Sequence, residues 1–190
     1  MKKLLPIALS NRHIHLSQED LDILFGEGYE LTKLRDLSQP GQYACEEKVD
    51  VVGPKNIIKG VRILGPVRSS TQFELSISDA YTLGVEPVIR NSGDIKGTPG
   101  AKLVGPKGEV ELKEGLIVAA RHIHMHTKDA EEFGVKDKDI VSVKVNGERG
   151  LVFNNVLVRV SDAFQLEMHV DIEEGNAAGV KNGDLVELIK

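Results

Sequence analysis

Hydrophobic and polar residues alternate along most of this chain, in short runs that glycine and proline interrupt. Alternation with a period of two is typical of a strand that is buried on one face. Pairs such as Gly53-Pro54, Gly65-Pro66 and Asn146-Gly147 are typical of the turns between strands. We interpret as strands the runs at 48–52, 60–64, 72–77, 109–112, 116–119, 140–145, 151–153, 156–160, 166–170 and 185–189.

Two short segments have a helical pattern. The first covers residues 17–25 and opens with Ser17 and Asp20 at the spacing of a capping box. The second covers residues 127–134, with Thr127 as the expected N-cap and Gly134 at its end. The chain is therefore predicted to be mainly β, with helices of about two turns.

Several segments of the chain occur twice. Arg12-His13-Ile14-His15 returns as Arg121-His122-Ile123-His124, each time before a predicted helix. Residues 77–81 are similar to 160–164. Residues 134–141 are similar to 179–186, and both have the pattern of a helix end, a turn and a strand. Repeats this far apart predict two related small β-barrel domains with short capping helices, not a solenoid of short units.

The stretch from Asn91 to Gly108 is rich in glycine and proline and is the best candidate for a domain boundary. We expect a first β-barrel domain at residues 1–92, which carries His13 and His15. The second β-barrel domain is expected at residues 93–190, with His122 and His124, and the chain termini are free to cross between barrels. The alternative is a long surface loop inside a single domain.

Composition narrows the class of protein. The 190 residues include 24 Lys+Arg and 29 Asp+Glu, for a net charge of −5, and 41% are hydrophobic, as expected for a folded chain. This mild acidity argues against nucleic-acid binding, and no apolar run is long enough to span a membrane. The apolar start is too short for a targeting signal, and the single cysteine, Cys45, cannot form an internal disulfide. We therefore expect a cytoplasmic protein.

Histidines carry the clearest chemical signal. Residues two apart in a strand share a face and lie about 6.6 Å apart, so a His-x-His pair can direct both imidazoles at one ion. The candidate ligand groups are His122, His124 and His169 in one case, and His13, His15 and an acidic residue such as Glu74 in the other. Zinc suits these ligands, although cobalt or iron accepts the same set. We expect His126 to be a solvated neighbour or to support a ligand.

Two arginines suggest anion binding. Arg62 and Arg68 flank a glycine-proline turn, and a guanidinium is suited to bidentate capture of phosphate or carboxylate. Because arginines are common on protein surfaces, the alternative is a solvated charge.

Four motifs then identify a resemblance. Residues 9–16 (LSNRHIHL), 63–68 (ILGPVR), 120–124 (ARHIH) and 166–171 (LEMHVD) closely resemble the phosphate propanoyltransferase family, in the family's order. The likeness extends from Pro6 to Ile189. It implies a phosphotransacylase that interconverts a short-chain acyl-CoA plus phosphate with an acyl phosphate plus CoA. The acyl group would be propanoyl or acetyl, and propanediol degradation is the implied setting.

The resemblance also implies a site. Two barrels would hold a dinuclear zinc site between them, with Arg68 binding the phosphate. One zinc would be held by His13, His15 and Glu74, and the other by His122, His124 and His169. Coenzyme A would lie along Leu9, Ser10, Asn11, Lys55, Arg62 and Asn176. The implied partners are acyl-CoA and inorganic phosphate, and we expect a homodimer because exposed strand edges often pair.

One departure from the family concerns location. Members housed in bacterial microcompartments carry an extra amphipathic N-terminal segment, whereas here the first motif begins within ten residues of Met1. We therefore expect the cytoplasm as the location, and not the lumen of a microcompartment. A general acetyl-transferring role is compatible with this expectation.

The residues favour direct transfer. We expect phosphate, held by zinc and by Arg68, to attack the thioester directly, because Cys45 has acidic neighbours that disfavour its thiolate. Two alternatives stay open. A zinc hydrolase would share the histidines but release free acid without phosphate, and a non-enzymatic zinc-binding barrel would use the metal for stability alone.

Overall fold

The structure, a computed structural model, describes residues 2–189. These residues form two compact units. The closed-barrel unit contains the described residues up to Asn11 together with those from Ala120 onward, and the open-sheet unit is Arg12–Ala119. The chain therefore starts in the closed-barrel unit, passes through the whole open-sheet unit and returns.

The secondary structure is mainly β, as the sequence predicts. In chain order the strands are β1 (Leu4–Ser10), β2 (His13–His15), β3 (Lys33–Asp36), β4 (Tyr43–Val52), β5 (Ile57–Gly65), β6 (Gln72–Glu74), β7 (Ile89–Arg90), β8 (Ala101–Val104), β9 (Glu109–Leu112), β10 (Leu116–Ala119), β11 (His122–Met125), β12 (Ile140–Val145), β13 (Leu151–Val160), β14 (Glu167–Asp171) and β15 (Leu185–Ile189). The helices are α1 (Gln18–Phe25), α2 (Ile77–Leu83), α3 (Thr127–Phe133) and α4 (Ile172–Ala178).

The two units have different sheets. Six strands of the closed-barrel unit close in the order β1-β14-β11-β13-β12-β15. The open-sheet unit has nine strands, ordered β7-β10-β6-β2-β5-β4-β8-β9, with β3 paired to β4. The prediction of a mainly β fold with barrel architecture and short helices is confirmed, and within residues 2–189 one of the two sheets is closed.

Alternation along the strands directs the histidines away from the cores. Ile123 and Met125 on β11 are fully buried in the core of the closed-barrel unit, together with Met168 on β14. Since neighbouring side chains of a strand point to opposite faces, His122 and His124 lie on the other face. In the open-sheet unit, Ile14 and Phe73 enter the core, so the residues on either side of each face the opposite way.

Several local predictions are corrected. Residues 151–160 form one strand instead of two, with Asn155 at a φ of 56° inside it. Residues 77–81 lie in helix α2, whereas 160–164 lie at the end of β13 and in the following turn, so this sequence similarity is not structural. The other similarity is structural, because Gly134 and Gly179 each end a helix in the left-handed conformation before a turn and a strand.

The segment 93–119 belongs to the open-sheet unit. It supplies β8 and β10, and these pair with β4 and β6. The chain passes from the closed-barrel unit into the open-sheet unit between Asn11 and Arg12 and returns between Ala119 and Ala120, whereas the boundary expected from the sequence lies between residues 92 and 93. No helix within residues 2–189 has the length and apolar character that crossing a membrane requires.

Candidate active site with two histidine clusters

The open-sheet unit carries the first cluster, which consists of His13, His15 and Glu74. Strands β2 and β6 are antiparallel and place His13 directly opposite Glu74, with His13 Nε2 3.5 Å from Glu74 Oε2. His15 is two residues further along β2, so it shares their face, and its ring centroid lies 5.1 Å from that of His13. One ligand atom from each residue lies within 4.8 Å of the others.

The closed-barrel unit carries the second cluster, which consists of His122, His124 and His169. Strand β11 pairs antiparallel with β14 and places His122 opposite His169, with ring centroids 5.2 Å apart. His124 lies edge-on to both, at 4.7 Å from His122 and 4.8 Å from His169. The structure thus brings together, in two groups of three, the six residues that the sequence nominates as ligands.

Both clusters have the same construction. Each has a His-x-His strand whose first histidine pairs with a third candidate ligand, Glu74 or His169, on an antiparallel neighbour. In each case the third candidate ligand lies two residues before the N-cap of a helix, Ser76 for α2 and Asp171 for α4. The duplication seen in the sequence therefore extends to the third candidate ligand, which the sequence similarity at 77–81 and 160–164 does not detect.

An arginine binds the helix in each copy. Arg12 lies 3.0 Å from Asp79, and Arg121 lies 3.0 Å from Glu174. Asp79 and Glu174 occupy the third position of α2 and α4, where each also completes a capping box. The residue before each His-x-His pair is thereby bonded to the helix that follows the third candidate ligand. The sequence shows both arginines but not their partners.

Several side-chain atoms of the two clusters have no hydrogen bond, as expected of atoms that bind a metal ion. Among the buried side-chain nitrogen and oxygen atoms of residues 2–189, such atoms are His15 Nδ1, His124 Nδ1, His169 Nε2 and Glu47 Oε2. Leaving a buried polar atom without a partner is costly, so native structures rarely do it without reason. Three of these four atoms belong to the clusters. His15 and His124 occupy equivalent positions, and in both the nitrogen without a hydrogen bond is Nδ1.

His122 has a defined tautomer. Its Nδ1 lies 2.8 Å from the carbonyl oxygen of Ala120, which can only accept, so Nδ1 carries the proton and Nε2 keeps its lone pair. Such a hydrogen bond is the usual support of a metal-binding imidazole. On the neighbouring strand, Glu167 Oε2 lies 2.8 Å from His169 Nε2, a close contact without hydrogen-bond alignment, and adds a carboxylate to the second cluster. No pattern in the sequence marks Glu167 as part of this cluster.

Burial keeps two imidazoles neutral. Burial, with smaller contributions from the charges of His13 and Arg68, lowers the pKa of His15 from 6.5 to about 3. Burial, with smaller contributions from His122 and His169, lowers the pKa of His124 from 6.5 to about 2. A neutral imidazole is the form that binds a metal ion. Both side chains are therefore in their ligand form across the physiological pH range.

Arg68 lies beside the first cluster. A cavity of about 310 Å³ in the open-sheet unit is lined by His15, Arg68 and the segments Pro40-Gly41-Gln42 and Gly65-Pro66. The backbone N–H of Arg68 donates to Leu16 at 2.8 Å, which fixes the arginine next to the His-x-His strand. A half-buried guanidinium on a cavity wall is well placed to receive an anion.

The six residues nominated for coenzyme A are distributed between the units. Leu9, Ser10, Asn11 and Asn176 are in the closed-barrel unit, and Lys55 and Arg62 are in the open-sheet unit. In the former, β1 runs parallel to β14 and places Leu9 and Ser10 beside the strand of His169. In the latter, Arg62 on β5 donates to the backbone carbonyl of Cys45, and Lys55 lies in the turn between β4 and β5.

Two residues whose roles the sequence leaves open have structural roles. His126 is the N-cap of α3, accepting from the backbone N–H of Lys128 at 3.1 Å, so the predicted N-cap, Thr127, is instead the first helical residue. Cys45 is fully buried, and burial together with the charge of Glu47 raises its pKa to about 11. A thiol with this pKa stays protonated at neutral pH and is a poor nucleophile.

The chain matches known proteins along most of its length. Residues 6–181 match the family model for phosphate propanoyltransferase. A phosphate propanoyltransferase of Thermotoga maritima is 57% identical over 97% of this chain and 88% of its own length. Those of Clostridioides difficile and Rhodopseudomonas palustris are 55% and 48% identical, each over 97% of this chain and over 88% and 81% of their own lengths. The chain therefore belongs to the phosphate propanoyltransferase family, a family of acyltransferases.

Proposed function

We propose that this protein is a phosphotransacylase that interconverts a short-chain acyl-CoA plus phosphate with an acyl phosphate plus CoA. The name shared by its relatives supports the reaction class. The observation that carries the proposal is the cavity where His15 of the first cluster and the Arg68 guanidinium share a wall. Propanoyl and acetyl are the proposed acyl groups.

We propose that each cluster binds one zinc ion. His13, His15 and Glu74 would hold one ion, and His122, His124 and His169 the other. Two histidines with a glutamate, and three histidines, are both donor sets of catalytic zinc, which keeps a position open for substrate. Bound zinc supplies Lewis-acid stabilisation of negative charge on oxygen or sulfur.

The chain's own residues support direct transfer. The Arg68 guanidinium binds two phosphate oxygens and orients a third toward the thioester carbonyl carbon. The new C–O bond forms as the C–S bond breaks, and the proton of hydrogen phosphate ends on the sulfur of CoA. Cys45 takes no part, because its thiol is buried and protonated. Coenzyme A is proposed to lie along the residues that the family resemblance nominates: Leu9, Ser10, Asn11, Lys55, Arg62 and Asn176.

Assembly and location complete the proposal. The open-sheet unit ends in the strands β7 and β9, and unpaired edges are suited to pairing between subunits. We propose a homodimer in the cytoplasm. The molar mass in solution and fractionation of the native cell test these two points.

The activity is tested by CoA thiol release from propanoyl-CoA and from acetyl-CoA, with and without phosphate. The same assay is repeated after metal stripping and after zinc is returned. We expect release that needs phosphate, disappears on stripping and returns with zinc, and the ratio of the two rates gives the acyl preference. Release without phosphate would identify a hydrolase, and no release from folded, zinc-loaded protein would overturn the proposal.

A further inference from the structure

Ser92 connects Arg68 to Glu74. It follows β7 in a loop of the open-sheet unit and is only partly exposed. Its hydroxyl lies 3.3 Å from Nη1 of Arg68, 3.0 Å from Nε2 of Gln72 and 2.8 Å from Oε1 of Glu74. One small side chain thus contacts the proposed phosphate-binding residue and a proposed metal ligand.

The direction of these hydrogen bonds is fixed by chemistry. A guanidinium and an amide NH2 only donate, so the hydroxyl oxygen of Ser92 accepts from Arg68 and from Gln72. Its own proton is then left for the carboxylate of Glu74, which only accepts. All the hydrogen-bonding capacity of the hydroxyl is used in this one arrangement.

The loop also sets the orientation of Gln72. The backbone N–H of Gly93 donates to Oε1 of Gln72 at 2.7 Å, which turns the NH2 group toward Glu74. Nε2 of Gln72 donates to Oε1 of Glu74 at 2.7 Å. That oxygen therefore receives two hydrogen bonds, while Oε2, 3.5 Å from His13 Nε2, is the carboxylate oxygen on the side of the cluster.

We propose that Ser92 is a positioning residue that holds Glu74 with a single oxygen toward the metal and holds Arg68 beside it. The inference rests on the proposed function, because it assumes zinc at Glu74 and phosphate at Arg68. Ser92 touches neither group directly. It sets the angle of one ligand and the place of one guanidinium through the same hydroxyl, so the loop after β7 joins metal binding to phosphate binding.

The substitution Ser92→Ala tests this role. It removes one of the two hydrogen bonds on Glu74 Oε1 and the hydroxyl acceptor of Arg68. Loss of a residue that supports a ligand typically weakens metal binding about 10- to 100-fold. We expect one of the two zinc equivalents to bind about 10-fold more weakly, and the other to be unchanged. We also expect KM for phosphate to rise more than kcat falls.

Zinc affinity is measured by titrating metal-free protein in competition with a chromophoric chelator, beside phosphate kinetics and thermal melting. Ser92→Thr keeps a hydroxyl and should restore both the zinc affinity and the KM for phosphate to wild-type values. Ser78→Ala, an exposed serine on α2, is the matched control and should behave as the wild type.

The outcomes separate the inference from the function it rests on. Unchanged zinc affinity and phosphate KM in folded Ser92→Ala protein would overturn the inference and leave the proposed function standing, as would failure of the Thr variant to restore them. If the wild-type protein binds no zinc and its turnover does not need phosphate, the proposed function and the inference fail together.

Discussion

At the scale of single residues, Arg68 is the side chain on which the proposed phosphate chemistry most directly depends. Its guanidinium shares a cavity wall with His15 but belongs to neither cluster. Substrate binding and metal binding should therefore be separable by one substitution.

Arg68→Ala should lower the turnover about 100-fold or more, because it removes a charged donor from the site, and should leave the zinc content unchanged. Steady-state kinetics over a range of phosphate concentrations and elemental analysis check the two parts. Arg35→Ala, an exposed arginine on β3, is the control. Unchanged kinetics in phosphate would remove Arg68 from the site.

The neutral histidines predict a pH dependence. In the metal-free folded protein, the pKa of His15 is about 3 and that of His124 about 2, whereas both are near 6.5 when unfolded. As the pH falls below about 6.5, the imidazoles of His15 and His124 bind protons in the unfolded chain but stay neutral in the folded chain. The free energy of unfolding of the metal-free protein should therefore fall from pH 7 toward pH 4.

Urea midpoints of the metal-free protein at several pH values measure this effect. The double substitution of His15 and His124 by Gln should flatten the profile over the same range. A wild-type midpoint that stays constant from pH 7 to pH 4 would contradict the assignment of these two buried imidazoles.

Sequence alone identifies the candidate ligands but not the residues that support them. A His-x-His pair before a helix is recognisable because strand geometry puts both rings on one face. Ser92 has no such signal, since its partners are brought to it only by the pairing of β6 and β10 and the loop after β7. His126 is missed as an N-cap because the next residue, Thr127, has the higher intrinsic preference.

At the scale of elements, the ion pairs Arg12–Asp79 and Arg121–Glu174 each tie a ligand strand to a capped helix. Both pairs are partly exposed on the arginine side, so each should contribute no more than about 1 kcal/mol to stability. Their more specific effect is on the orientation of the strand that follows each arginine.

Two substitutions test this role against each other. Arg121→Gln should weaken zinc binding at the second cluster and leave the first unchanged, and Arg12→Gln should do the reverse. Titration of zinc into metal-free variants, with circular dichroism to verify folding, measures both. Equal weakening of both zinc equivalents in either variant would contradict the assignment of one arginine to one cluster.

Both predicted helices form within one residue of their predicted bounds, as α1 and α3, whereas several strands and helix α2 are not predicted. Alternation identifies β12 and β15 because one face of each is buried. The start of α4 is missed, because a seven-residue helix that opens with a β-branched residue, Ile172, has no distinct periodicity. Its end is predicted, since Gly179 repeats the pattern of Gly134. Strand β1 is missed because Pro6 interrupts it.

At the scale of the whole molecule, each unit contains its own complete cluster. The three residues of the first cluster lie in Arg12–Ala119, and those of the second lie beyond Ala119. Zinc bound at one cluster should therefore be removable while the other is retained. The duplicated motifs predict such a pair of units. They do not locate the boundary between the units, because it depends on the pairing of β8 and β10 with β4 and β6.

His124→Ala should reduce the zinc content from about two ions per chain to about one and should also lower the transacylase rate. Elemental analysis with protein quantification, beside the phosphate-dependent assay, checks both expectations. Retention of both ions would contradict the assignment of His124 as a ligand.

The return of the chain to its first unit has a consequence for biosynthesis. Strand β1 is translated before Arg12–Ala119, but its partners β14 and β15 are translated only after the whole of that segment. All strands of the open-sheet unit are translated before β14 and β15, so we expect this unit to fold during translation, while β1 is still unpaired. The barrel can close only after β15 has been translated, and the nascent chain therefore acquires its second cluster after its first.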